Sequence, residues 1–227
     1  MGEVKSLQKN RIQETFVVAG TLAIVGGFLD AYTYLLRGGV FANAQTGNIV
    51  LLGIRFAEGK PREAFYYLLP IVAFALGVLM NAIIKSRDKR KEYSLYEHRI
   101  LIIEAGLLLI IGFLPLSLPN GIVNITISFI CSLQVNSFRL VNKLPYASTM
   151  CTGNLRSGVE KVYLFLDTKE KKYARESLYY FGIITLFIIG ASLGSILVKL
   201  IGVKSIWVCS LILLLVSGTI KLFAKNS

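Results

Sequence analysis

The sequence predicts an all-α polytopic membrane protein: six transmembrane helices plus two re-entrant or broken helical segments, arranged as two inverted three-helix repeats. Three observations lead there. The chain of 227 residues is 54% hydrophobic, with a mean hydropathy of +0.62. A soluble domain of this size has no way to hide that much apolar surface. One polar tripeptide, Thr46-Gly47-Asn48, returns as Thr152-Gly153-Asn154, 106 residues later. The basic residues gather in the gaps between apolar runs, as in the loops of proteins that face anionic lipid.

The first span is expected at Phe16–Leu36, following the basic residues Lys5, Lys9 and Arg11. This run is too long for a signal peptide and lacks its small-residue exit. Further spans are expected at Ala64–Ile84, Ile100–Leu118, Gly121–Leu140, Leu178–Val198 and Ser205–Leu222. At ~20 residues per span, this length leaves no separate soluble domain. The organisation is then a basic cytoplasmic tail over residues 1–15, a first repeat over 16–118 and a second over 119–227.

The two tripeptides lie in segments 40–57 and 145–166, which polar residues interrupt. If both segments cross the membrane, there are eight spans, and the most basic loop, from Lys85 to Arg99, faces outward. If both re-enter without crossing, that loop joins the N-terminus, Arg139 and Lys143 on the inside, and the uncharged Pro119-Asn120 connection lies outside. The positive-inside rule favours the second arrangement, although it leaves Arg55, Lys60 and Arg62 outside. Three spans per repeat is an odd number, so the second unit starts from the opposite face. Inverted repeats with broken helices near the midplane are a common plan among transporters.

The duplication extends beyond the tripeptide. Asp30 and Asn136 each stand sixteen residues before their copy, and Phe74-x-x-Gly77 answers Phe187-x-x-Gly190. A segment that turns inside a bilayer exposes backbone N–H groups. Thr and Asn side chains satisfy helix starts, and Gly permits tight turns. Half-helices starting at Thr46–Asn48 and Thr152–Asn154 would place two positive dipole ends near the centre. Capping with tight packing is the structural reading of the same residues.

Asp30 lies well inside the first span, where a carboxylate is costly and functional by default. It can bind a cation, take a proton or hold N–H groups of the first half-helix. Its counterpart Asn136 is neutral, so one ionisable site is expected rather than two. Candidate substrate- or ion-binding residues are Asp30, Asn43, Gln45, Thr46, Gly47, Asn48, Gln134, Asn136, Thr152, Gly153 and Asn154. A free, charged Asp30 favours a cation; a neutral or paired one favours an anion. Glu104 is expected to pair with Arg99 or a basic residue of another helix. Gly190-x-x-x-Gly194 and Ala73-x-x-x-Gly77 permit close helix approach, either within the chain or at a homodimer seam.

No catalytic constellation, metal spacing or cofactor motif is present, and an enzyme is not expected. Cys131, Cys151 and Cys209 fit neither a disulfide framework nor a metal site, and His98 is the sole histidine. The net charge of +12 does not point to nucleic acid, because no basic stretch carries interleaved aromatics. The expected partners are membrane lipid and a small solute or ion.

The stretch Gly27-Phe28-Leu29-Asp30-Ala31, then Phe41-Ala42-Asn43 and Thr46-Gly47-Asn48, resembles the YoaK-type family, bacterial membrane proteins carrying a domain of unknown function. So do Gln134–Arg139 and Thr149–Arg156. The resemblance covers nearly all of the chain after residue 15. It implies a six-helix protein of a bacterial inner membrane and supplies no substrate. Members of that family often have Gln at the place of Asn136, which argues against an amide of fixed length there. Two functions remain: a small transporter or channel-like permease, and a non-transporting scaffold, sensor or partner subunit.

Overall fold

The computed structural model describes residues 12–87 and 93–225. The basic residues Lys5, Lys9, Arg11, Lys89, Arg90 and Lys91 lie outside the described residues. A short 3-10 turn, Ile12–Glu14, leads into α1 (Phe16–Leu36). Thr15 caps that helix through a bond from the Val18 N–H to Thr15 Oγ1. There follow α2 (Gln45–Ala57), α3 (Pro61–Arg87), α4 (Tyr93–Ile111) and α5 (Asn120–Ser137). A two-stranded hairpin, β1 (Leu140–Val141) and β2 (Leu144–Pro145), precedes α6 (Cys151–Thr168), α7 (Lys171–Ile201) and α8 (Ile206–Lys225).

Among the described residues, three helical stretches are long and apolar enough to cross a membrane: Phe16–Leu36, Pro61–Arg87 and Lys171–Phe223, the last running through α7 and most of α8. α4 carries Glu97, Arg99 and Glu104, and α5 carries Asn120, Asn124, Gln134 and Asn136, which lowers the hydropathy of both. Large apolar side chains such as Leu76, Ile188 and Leu215 stand exposed on α3, α7 and α8. Exposed apolar surface on this scale suits a lipid environment.

α1 is the central pillar. Its hydrophobic window is 72% buried, against 22% for α3 and for the α7–α8 stretch. It packs against α7, while α3 packs against α5. α2 lies on α3 and α6 on α7; α4 meets α5 and α8 meets α1; α4 and α8 pack on each other. Exchanging α1–α4 with α5–α8 leaves this set of neighbours unchanged.

Three glycines fix close crossings. A Cβ on Gly190 would run into the Ile24 backbone carbonyl of α1. One on Gly77 would run into Ser132 and lie 2.6 Å from the Phe129 carbonyl of α5. Gly194 meets α1 in the same way, its Cβ position 2.9 Å from the Phe28 carbonyl. The G-x-x-x-G face is therefore used inside the chain, for backbone-to-backbone approach.

Several boundaries differ from expectation. α4 begins at Tyr93, not Ile100, which brings His98 into a helix, where Nδ1 lies 2.6 Å from Ser217 Oγ of α8. The same helix stops at Ile111, not Leu118. There the Trp207 indole fills the space beside Gly112, and buried Arg37 takes the Leu114 and Pro115 carbonyls at 3.2 and 3.3 Å. α5 stops at Ser137, not Leu140, because the hairpin claims the next residues. Asn142 and Lys143 turn it with φ of 47° and 69°, as a two-residue hairpin turn requires. α7 starts at Lys171, ahead of the apolar run, and Glu176 in this polar first part binds Lys161 of α6 at 2.6 Å.

Candidate functional site

The tripeptides sit in the first turns of α2 and α6. Neither helix has a side-chain cap at its N-terminus. The motif asparagines instead reach back seven residues to the incoming chain. Asn48 Oδ1 accepts the Phe41 N–H at 3.1 Å, and Asn48 Nδ2 donates to the Phe41 carbonyl at 2.6 Å. Asn154 repeats this on Ala147, at 3.3 and 2.7 Å. Each amide thus acts as a substitute strand edge for an extended segment that enters the fold without a ladder partner. Asn48 also donates to Gln45 Oε1 at 2.9 Å, and Gln45 Nε2 donates to the Ala42 carbonyl at 2.9 Å. Gly47 is needed for closeness, since a Cβ there would lie 2.7 Å from the Phe41 ring.

Asp30 is buried in α1 at 4% exposure. Its Oδ1 accepts the Asn43 N–H at 2.8 Å, and the neighbouring Ala44 N–H is directed at the same carboxylate. Oδ2 has no hydrogen-bond partner. Asn43 Nδ2 donates to the Gly26 carbonyl at 3.2 Å, and Asn43 Oδ1 is unpartnered. The loop after α1 therefore folds back along that helix and presents its backbone N–H groups to Asp30. This arrangement sets a carboxyl group near the N-terminal end of α2.

These groups line a cavity of about 710 Å³. Asp30, Asn43, Gln45 and Thr46 come from the first half; Thr149, Cys151, Thr152 and Gly153 come from the second. Tyr34, Phe41, Phe74, Met150 and Phe187 make the apolar wall. Phe74 and Phe187, the matched pair of the repeat, sit near the middle of α3 and α7. The volume falls in the range of small-molecule sites.

The remaining candidates lie elsewhere. Asn48 and Asn154 are buried behind the wall in their backbone clasps, and Gly47 packs on Phe41. Gln134 is buried in α5 with Nε2 unpartnered. Asn136 turns its Nδ2 to the Ser132 carbonyl of its own helix at 2.9 Å, while its backbone carbonyl takes Lys85 Nζ at 2.7 Å. Neither Gln134 nor Asn136 borders the cavity. Glu104 meets Cys131 Sγ at 3.8 Å instead of the basic partner expected for it, and no basic side chain pairs with it among the described residues. Among those residues no group of three His, Cys, Asp or Glu could hold a metal ion.

Residues 18–219 match the family described as protein of unknown function (DUF1275). The chain belongs to the DUF1275 family. One relative, the UPF0700 transmembrane protein YoaK of Bacillus subtilis (strain 168), is 26% identical over 175 residues, covering 75% of this chain and 78% of the relative. No solved structure matches the chain. For this DUF1275 protein, sequence reasoning marked the polar half of the cavity and missed most of its wall. The signal for two wall residues was present, because Phe74 and Phe187 repeat beside the glycines. Nothing in the spacing singled out Thr149, Tyr34 or Met150.

Proposed function

We propose that this protein is a small, non-enzymatic transporter or channel-like permease of the bacterial inner membrane, with its N-terminus in the cytoplasm. One observation carries the reading. Two helix N-termini, one from each half of the chain, end at a single cavity beside a carboxylate with an unpartnered oxygen.

The local geometry supports six spans and two re-entrant segments. Asn43 contacts Gly26, which lies roughly 15 Å below the end of α1 at 1.5 Å per residue. The chain has therefore turned back by half a bilayer before α2 begins. α2 has 13 residues, about 20 Å, which is too short to span. The first re-entrant loop leaves the C-terminal end of α1, where Arg37 is anchored. The hairpin before α6 is tied to the other end of α1, through the Asn142 N–H to the Glu14 carbonyl at 2.6 Å. The two segments thus enter from opposite ends of the central pillar, as inverted repeats do. The shared packing pattern of α1–α4 and α5–α8 favours the same reading.

This orientation puts Lys85, Arg87, Arg139, Lys143 and the basic residues around the α6–α7 turn on the cytoplasmic side. Arg55 and Lys60, left outside, are paired with Glu58 at 2.7 and 3.1 Å. The test is flux into liposomes holding the purified protein, across protons, small cations, small anions and neutral or zwitterionic metabolites, with Asp30→Asn in parallel. Transport predicts movement of at least one class, lost in a folded Asp30→Asn protein. No flux in any class, with Asp30→Asn merely less stable, would replace this reading with a scaffold, sensor or partner subunit.

A further inference from the structure

The two ends of the cavity are not chemically equivalent, and their difference defines a ligand. Resting on the transport reading, we infer that the site takes a small zwitterion with an apolar body, the chemistry of an α-amino acid with a large apolar side chain.

At the first end the free groups are acceptors. Asp30 Oδ2 and Asn43 Oδ1 are both buried and unpartnered, and both residues border the cavity. Just ahead of α2, Asp30 takes the Asn43 N–H, and the Gln45 and Gly47 N–H groups of the first turn meet the Asn43 and Ala44 carbonyls. An unmet buried acceptor costs ~1–3 kcal/mol, and an unmet carboxylate oxygen more. An ammonium group, with three donors, fits this pair.

At the second end the free groups are donors. α6 has 18 residues, and its N-terminus has no acidic residue in the first turn and no side-chain cap. Among the described residues, the N–H groups of Cys151, Thr152 and Gly153 have no backbone acceptor. Thr149 also borders the cavity, and its Oγ1 is buried without a partner. The residue that would repeat Asp30 is Asn136, and it is turned to Ser132. This helix end therefore lacks the carboxylate that α2 has. A ligand carboxylate would supply it.

A simple anion would meet Asp30, and a simple cation would meet the uncovered α6 dipole. A solute with both charges satisfies both ends, while Phe74, Phe187 and Tyr34 cover its apolar part. Rejection of the singly charged solutes follows from the group each leaves unpaired.

The test is equilibrium binding to the full-length protein in nanodiscs, using L-phenylalanine, phenethylamine and 3-phenylpropionate as probes of one body and different charge. L-phenylalanine is expected to bind at least tenfold tighter than either analogue. Asp30→Asn should erase its advantage over 3-phenylpropionate, and Thr149→Ala should weaken L-phenylalanine while leaving phenethylamine unchanged. Because Asp30→Asn alters a buried site, a second readout uses the wild-type chain. L-phenylalanine should slow maleimide labelling of Cys151, and the analogues at equal concentration should not. Equal or tighter binding of either analogue overturns the inference, as does the absence of both binding and protection by L-phenylalanine. Flux of another solute class alongside that absence leaves the transport reading standing; no flux and no labelling of Cys151 removes both.

Discussion

Replacing Asn48 or Asn154 by alanine removes the device by which both halves of the chain hold the extended segment ahead of α2 and of α6. Asn48 is fully buried. It holds both backbone groups of Phe41, at 3.1 and 2.6 Å, and Asn154 holds both backbone groups of Ala147, at 3.3 and 2.7 Å. The alanine variant leaves one N–H and one C=O without partners in a region that excludes water. At ~1–3 kcal/mol for each orphaned group, and with some relaxation of the loop, each variant should lose about 2–4 kcal/mol. For a chain of this size that corresponds to a fall in Tm of roughly 5–15 °C. The assay is thermal unfolding in detergent micelles, read by intrinsic fluorescence. Thr46→Ala and Thr152→Ala serve as comparisons, since both side chains are exposed and make no hydrogen bond among the described residues. The prediction is a large and similar loss for the two asparagines and less than about 2 °C for the two threonines. Asparagine variants that melt with the threonine variants would refute the clasp. So would a large loss in only one half, because the two copies would then be doing different work.

Other outcomes follow from the same geometry. Gly77→Val and Gly190→Val should prevent stable folding, because each side chain would enter a neighbouring helix backbone. Gly153→Ala, with open space around it, should keep the wild-type Tm; size-exclusion profiles and melting curves separate these cases. Arg37→Leu should cost about 2–4 kcal/mol in thermal unfolding by freeing the carbonyls of Leu114 and Pro115. Of the three thiols, Cys151 should react with a polar maleimide and Cys131 and Cys209 should stay unlabelled until the protein is denatured, as mass spectrometry would report.

The elements most legible in the sequence were those set by one local rule. α1 was readable to the residue because an apolar run follows a capping threonine and ends beside Arg37. The starts of α2 and α6 were readable because Thr-Gly-Asn interrupts an apolar run twice. The ends of α4 and α5 were not, because distant groups decide them: Arg37 and Trp207 reach across the fold to stop α4. The hairpin was hidden because its turn uses Asn142 and Lys143 without a glycine. Asn48 and Asn154 were marked as ligands of the site, yet their amides serve the backbone; a side chain able to do either job gives no hint in sequence. Asp30 stood out alone because a carboxylate in an apolar helix needs a reason. Gln134 and Asn136 looked equally polar, but no residue of α5 borders the cavity, and repeat symmetry alone did not predict that.

The two Thr-Gly-Asn segments end at one shared cavity. The most direct test of this convergence is intramolecular cross-linking of Thr46→Cys with Thr152→Cys by a short bis-maleimide, in membranes and with Cys151→Ser to remove the one accessible native thiol. A cross-link within single chains is expected, seen as faster migration on a denaturing gel and as a joined peptide pair by mass spectrometry. Efficient labelling of each cysteine with no link between them, or links only between separate chains, would contradict it.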